Sequence, residues 1–148
     1  MNSRVCVDAS LAVQWIIPTP EDPLAESLLQ AWDKAGTELI GPPLFDAEVT
    51  STIRRYVYFK KLLPEQGEKA FLLYRELGVK IISPPELPKV AWDLAKKYNQ
   101  PRTYDMQYVA IAELEGCELW TGDRRLSNSL QGKSKRLRWV GEYRGEPA

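Results

Sequence analysis

Four carboxylates, Asp8, Glu48, Asp105 and Asp123, carry most of the chemistry that this sequence offers. Asp8 closes the β-branched run Arg4 to Val7, and Asp123 follows the short apolar run Leu119 to Thr121, so both are expected at the carboxyl ends of strands. Asp105 opens a helix that stops at Gly116. Glu48 falls on the inward stripe that Phe45, Val49, Thr52, Ile53 and Tyr56 make along another helix. Carboxylates gathered in one place repel, by roughly 3 kcal/mol for a pair about 5 Å apart at an effective dielectric near 20. Only a cation or shifted pKa values tolerate that. The donors are all hard oxygens, which selects Mg²⁺ or Mn²⁺ over zinc, and the chemistry implied is phosphodiester hydrolysis by a metal-activated water.

Each acid also has a purely structural reading. Asp8 and Asp123 suit the N-caps of the helices that follow them, Asp105 suits the dipole of its own helix, and Glu48 could pair with Arg55 or a lysine. Convergence at one sheet edge favours the chemical reading. Two hydroxyls accompany the strand-end acids, Ser10 and Thr121, and either orients a water, holds a carboxylate or is an ordinary polar residue. A basic stretch, Arg124, Arg125, Lys133, Lys135, Arg136 and Arg138, reads equally as a phosphate-contacting patch and as a solvated face. Asp46 falls on a different face from Glu48 and is assigned to the helix N-terminus, outside the site.

The elements that must position these groups alternate. After the strand Arg4–Val7 come helices over Ala9–Ile17 and Glu21–Ala35, a strand over Glu38–Ile40, and a long helix opened by Pro42-Pro43 and expected to reach Lys61. Next are a helix over Pro64–Leu77, a strand over Val79–Ile82 and a helix over Glu86–Tyr98. The stretch Thr103 to Leu126 then gives a helix, a strand and the start of a short helix ending by Gly132, and Leu137–Val140 is a last strand. Short strands separated by helices require crossover connections, hence a mostly parallel sheet covered on both faces. In such sheets the functional crevice lies beyond the strands' carboxyl ends, where Asp8 and Asp123 fall.

Residues 1–140 are expected to form a single domain, with a polar, loose tail over 141–148. Lys plus Arg balance Asp plus Glu at 20 each, so any nucleic-acid binding must come from local patches. The absence of histidine excludes imidazole bases and His-ligated zinc. Cys6 and Cys117 sit in apolar runs and read as buried free thiols. With no run of about 18 apolar residues and no leader-like start, a cytoplasmic protein that does not enter the membrane is expected. The aromatic residues Trp15, Trp32, Tyr56, Tyr58, Phe59 and Trp92 exceed the needs of a small core, and Tyr56, Val57, Tyr58 and Phe59 run consecutively in the long helix, so one face of that helix is expected to be a partner surface, with a homodimer predicted.

The segments V-D-A-S-L-A-V-Q-W (Val7–Trp15), G-P-P-L-F-D-A-E-V-T-S-T-I-R-R (Gly41–Arg55), Y-D-M-Q-Y-V-A-I-A-E (Tyr104–Glu113) and L-W-T-G-D-R-R-L (Leu119–Leu126) together resemble a PIN domain. More narrowly, they resemble a VapC-like toxin ribonuclease of the type II toxin–antitoxin systems. The resemblance implies a three-layer α/β/α fold with a central, mostly parallel sheet, a homodimer, RNA as substrate, and inhibition by a small antitoxin protein. It places the acidic metal-binding residues on Asp8, Glu48, Asp105 and Asp123, with Thr121 in the hydroxyl position before the last of them; Ser10, Arg124 and Arg125 are candidates for substrate contact. Met106 stands where such proteins usually have alanine, and Ser51 where asparagine is frequent. No core acid is lost. Competing readings are a Mg²⁺-dependent phosphoryl-transfer domain, for which the second acid two residues after Asp8 is missing, and a non-catalytic RNA- or protein-binding module in which the acids are caps.

Overall fold

The structure, a computed structural model, describes residues 3–18, 23–130 and 132–145. Five strands, β1 (Arg4–Val7), β2 (Glu38–Gly41), β3 (Lys80–Ile81), β4 (Leu119–Thr121) and β5 (Leu137–Trp139), form one sheet in the order β3-β2-β1-β4-β5. All four pairings are parallel. The central strand β1 is apolar at Val5, Cys6 and Val7 on both faces, as a parallel strand covered on two sides must be.

Among the described residues seven helices connect the strands: α1 (Ala9–Ile16), α2 (Pro23–Ala35), α3 (Leu44–Tyr58), α4 (Pro64–Glu76), α5 (Leu87–Lys97), α6 (Tyr104–Glu115) and α7 (Arg124–Ser129). The chain steps from β1 to β2 to β3 in one direction, then crosses back to β4 and on to β5 in the other. Right-handed crossovers therefore place α1 to α4 on one face and α5 to α7 on the opposite face, a three-layer α/β/α arrangement. The packing agrees: α1 contacts α2, α3 and α4, while α5 packs on α6 and α6 lies against β1 and β4. The direction of travel reverses between β1 and β4, where such sheets open a crevice at their carboxyl edge.

Helix α6 is buried at Met106 and at every position from Tyr108 to Ala112, and Gly116 ends it in the left-handed conformation (φ 67°). Met106 is fully buried, so this departure from alanine is a matter of packing and not of the cleft. Helix α3 stops short of the expected Lys61. Lys60 takes a positive φ of 60°, the amides of Lys61 and Leu62 return to the Tyr56 carbonyl, and the turn delivers Leu62 to the core. The expected start of α2 at Glu21 lies outside the described residues, as does the end of the tail.

The expectation of a loose tail from Gly141 does not hold for its first residues. Val140–Glu142 form a 3₁₀ turn and Tyr143 is buried, its ring edge-on to Trp120 at 6.3 Å. Trp120 in turn meets Trp32, and Trp32 meets Trp15, all in edge-to-face geometry. Trp15 and Trp32, counted as beyond the needs of a small core, belong to this aromatic row, and the Trp15 indole donates to the Ala25 carbonyl at 2.7 Å. Cys6 and Cys117 are buried and free. Among the described residues no helix is long and apolar enough to cross a membrane.

Candidate active site

At the sheet's switch point β1 and β4 are paired with Cys6 opposite Leu119 and Val7 opposite Trp120, and the Asp8 amide continues the ladder to the Trp120 carbonyl. The next side chains, those of Asp8 and Thr121, meet. Thr121 donates to Asp8 Oδ2 at 2.5 Å, and Ser10 donates to Oδ1 at 2.7 Å. Each hydroxyl also accepts a backbone N–H from the loop after β4: Thr121 from Asp123, Ser10 from Gly122. A hydroxyl has one proton, so both are committed to Asp8, and the two strand-end turns are sewn together through it. Thr121 is fully buried and holds a carboxylate; it has no access to a water in the cleft.

Gly122 lets the two turns approach closely at this seam. A side-chain carbon there would stand 3.0 Å from the Ser10 carbonyl oxygen and 2.4 Å from the Gln14 amide nitrogen. The same Gln14 nitrogen donates to the Gly122 carbonyl at 3.4 Å.

An open cleft of about 580 Å³ lies over the seam, and Asp8, Glu48, Asp105 and Asp123 all line it. Asp8 and Asp123 come from strand ends, Glu48 from α3 in one helical layer and Asp105 from α6 in the other. Burial pushes the Asp8 carboxyl up to about 6, against the lowering effect of its hydrogen bonds from Thr121, Ser10 and the Leu11 amide, and with a further upward push from Asp105. Burial likewise raises Glu48, opposed by Tyr108 and assisted by the charge of Asp105. Asp105 is itself raised by burial, relieved by Arg125 and pushed further by Asp123. Asp105 is thus the centre of the mutual repulsion, coupled to each of the other three.

The capping readings are also realised. Asp8 Oδ1 accepts from the Leu11 amide at 3.0 Å, and Asp123 Oδ1 accepts from the amides of Arg125 and Leu126 at 2.9 and 3.3 Å. Capping engages only Oδ1 of each residue. Asp105 makes no side-chain hydrogen bond among the described residues and does not cap α6, but it stands in the first turn of that helix, where its charge suits the helix dipole. Glu48 pairs with neither Arg55 nor a lysine; its Oε1 accepts from the Tyr108 hydroxyl at 2.5 Å. Asp46, outside the cleft, accepts from Tyr74.

The two adjacent arginines part. Arg125 lines the cleft and pairs with Asp123 at 3.3 Å, whereas the Arg124 guanidinium lies 5.0 Å over the Trp139 ring, away from the cleft. Gln14, Arg55 and Tyr108 line the cleft and are not among the residues the sequence suggested. Tyr108 follows Asp105 by three residues on a helix, a spacing that puts both on one face and was the available signal.

The donor set suits a hard divalent cation. It consists of carboxylate oxygens, three of them held above their ordinary pKa by burial and by one another. Among the described residues no three acids form a cage that could hold an ion by themselves. Mg²⁺ and Mn²⁺ need none, since they are commonly held by one or two carboxylates, with waters and substrate phosphate completing the shell.

Residues 5–129 match the family model described as "PIN domain". The chain belongs to the PIN-domain family. It is 31% identical over 129 residues to the VapC ribonuclease Mb0985 of Mycobacterium bovis and, at the same identity, to ribonuclease VapC9 of Mycobacterium tuberculosis. These alignments cover 87% of this chain and 93% of each relative. The PIN fold extends to solved structures with lower identity. PAE2754 from Pyrobaculum aerophilum superposes with a TM-score of 0.65 at 19% identity, covering 95% of this chain and 93% of that one. A chain of a toxin–antitoxin complex from Klebsiella pneumoniae gives 0.65 at 15%, covering 92% and 97%.

Proposed function

We propose that this PIN domain is a divalent-metal-dependent endoribonuclease and the toxin of a type II toxin–antitoxin pair, acting in the cytoplasm. The observation that carries the reading is the gathering of four acids in one cleft at the switch point, where burial raises Asp8, Glu48 and Asp105 and neighbouring acid charge adds to each. The ribonuclease names of the mycobacterial relatives and the toxin–antitoxin complex among the structural neighbours support the substrate and partner classes.

Asp8, Glu48, Asp105 and Asp123 would hold Mg²⁺ or Mn²⁺. A bound ion supplies Lewis-acid stabilisation of charge on the scissile phosphate and makes a water acidic enough to attack it near neutral pH. The chain's own residues do the rest. Thr121 and Ser10 keep Asp8 fixed and favour its charged form; Arg125, exposed at the cleft, neutralises part of the acid cluster and offers donors to a phosphate. Arg55 lines the cleft beside Glu48 and offers a second phosphate contact.

Two partners are part of the proposal, a second copy of this chain and an antitoxin protein. Exposed apolar side chains support it: Tyr58, Phe59, Leu63, Phe71 and Leu72 cluster in sequence around α3 and α4, and Trp92 of α5 and Tyr104 of α6 are exposed elsewhere.

The test is incubation of the purified chain with single-stranded RNA, with Mn²⁺ or with EDTA. The proposal requires cleavage that Mn²⁺ supports and EDTA stops. A second reading, a non-catalytic module, draws on the observed capping by Asp8 and Asp123; it requires that no Mn²⁺ binds and that RNA stays intact in both conditions.

A further inference from the structure

Tyr108 lies in the middle of the most buried helix, is only 1% exposed, and yet sends its one hydroxyl proton to a cleft acid on a different layer of the molecule. Its main-chain carbonyl accepts from the Cys6 thiol of β1 at 3.6 Å, so the residue is held against the central strand while its ring spans from α6 to Glu48 on α3. Packing leaves a fully buried tyrosine ring no alternative orientation. Glu48, by contrast, is half-buried on a flexible stem, and its only side-chain hydrogen bond among the described residues is the one from Tyr108 to Oε1. Oε2 is left for another partner.

We propose that Tyr108 is a positioning residue: its hydroxyl fixes the Glu48 carboxylate in the orientation that holds the divalent ion, an inference that rests on the metal-dependent reading above. The bond ties a carboxylate from one helical layer to a rigid anchor in the other. Without it Glu48 keeps its place on α3 but loses its fixed direction, so ion binding would have to order it first. Tyr108 touches neither ion nor RNA in this account.

The experiment uses the full chain as wild type, Tyr108→Phe, Glu48→Gln and the double variant, and measures Mn²⁺ binding by calorimetry in the absence of RNA, followed by kcat and KM for RNA cleavage. Phenylalanine keeps the ring in the core, and melting in EDTA reports whether the fold is retained. Tyr108→Phe should weaken Mn²⁺ binding about 10-fold, the lower range for groups that orient a metal ligand, and lower kcat comparably with KM for RNA unchanged. In the Glu48→Gln background the same change should have less than about a 2-fold effect, because two residues acting through one interaction are not additive. Wild-type affinity in Tyr108→Phe, or an equal loss in both backgrounds, overturns the positioning role while leaving the metal-dependent reading intact. A wild type that binds no Mn²⁺ overturns both.

Discussion

Thr121 Oγ1 and Asp8 Oδ2 meet at 2.5 Å across the boundary between β4 and β1, and neither residue is more than 6% exposed. A carboxylate buried to that extent needs donors, and the fold provides them from the strand whose own terminal acid completes the cleft. The bond is both a seam in the sheet and a support for the site.

Thr121→Val keeps the shape and removes the donor. It should lower stability by about 1–3 kcal/mol at neutral pH, where Asp8 loses a partner for its charged form. That is several degrees in melting temperature for a chain of this size. The loss should shrink at acid pH, where Asp8 is neutral, and Thr121→Ser should restore most of it. Equal losses at both pH values would show that the hydroxyl serves packing alone.

Metal-free stability should depend on pH with a definite sign. Asp8 is raised from an ordinary value of 3.8 to about 6 in the folded state, so between those values the native chain keeps a proton that the unfolded chain has lost. Stability is therefore greatest below the lower value and falls as pH rises through the upper one, by about 3 kcal/mol from Asp8 at 1.36 kcal/mol per pKa unit. Glu48 and Asp105 are shifted in the same direction and add to the fall. Mn²⁺ should restore stability above that window, since an ion bound only by the native state stabilises it. Denaturant titrations across this range in EDTA and in Mn²⁺ check both halves; a metal-free stability that rises with pH there contradicts the assignment.

The strand-end acids were legible because a short β-branched or apolar run leading to an Asp is visible without any tertiary information, and Glu48 because helical spacing placed a charge on an apolar stripe. Tyr108 was not, since a tyrosine inside an all-round apolar helix reads as core until its hydroxyl partner, 60 positions away, is seen. Adjacent Arg124 and Arg125 look alike in sequence, yet a helix turns about 100° per residue, so one stacks on Trp139 and the other faces the cleft. Trp15 and Trp32 look surplus to a small core for the converse reason: the row that covers them is completed by Trp120 and Tyr143, from the far end of the chain.

Gly122→Ala should damage the site with little change to the rest of the fold. The added carbon meets the Ser10 backbone, which cannot swing aside as Gln14 can, so the Ser10 turn and the loop carrying Asp123 must part by a few tenths of an ångström. A shift of that size should lower the rate, by less than the roughly 100-fold that a displacement of about 1 Å costs at a catalytic group. Cleavage rates set beside melting curves test this; a fully active Gly122→Ala protein would show that the close approach has no bearing on the cleft.

Tyr58 and Phe59, at 65% and 62% exposed, and Leu72 at 61% are the most exposed large apolar side chains described. Light scattering should give a dimer mass across micromolar concentrations, and Tyr58→Glu with Leu72→Glu should weaken either that dimer or capture by an antitoxin. A monomeric parent, or a dimer and an antitoxin complex both indifferent to these changes, counts against a partner face on α3 and α4.

Asp105 permits the cleanest test of the central claim, because it caps no helix and its charge opposes those of the other three acids. Asp105→Asn keeps the size and removes the charge. The measurement is RNA cleavage in Mn²⁺ by this variant beside its melting temperature in EDTA. A metal site predicts opposite movements: cleavage lower by at least about 100-fold, beyond the usual effect of changes outside the ligand set, and a metal-free protein that melts higher because a repulsive charge is gone. Cleavage at the parental rate, or a parent that cleaves equally well in EDTA, would contradict the account.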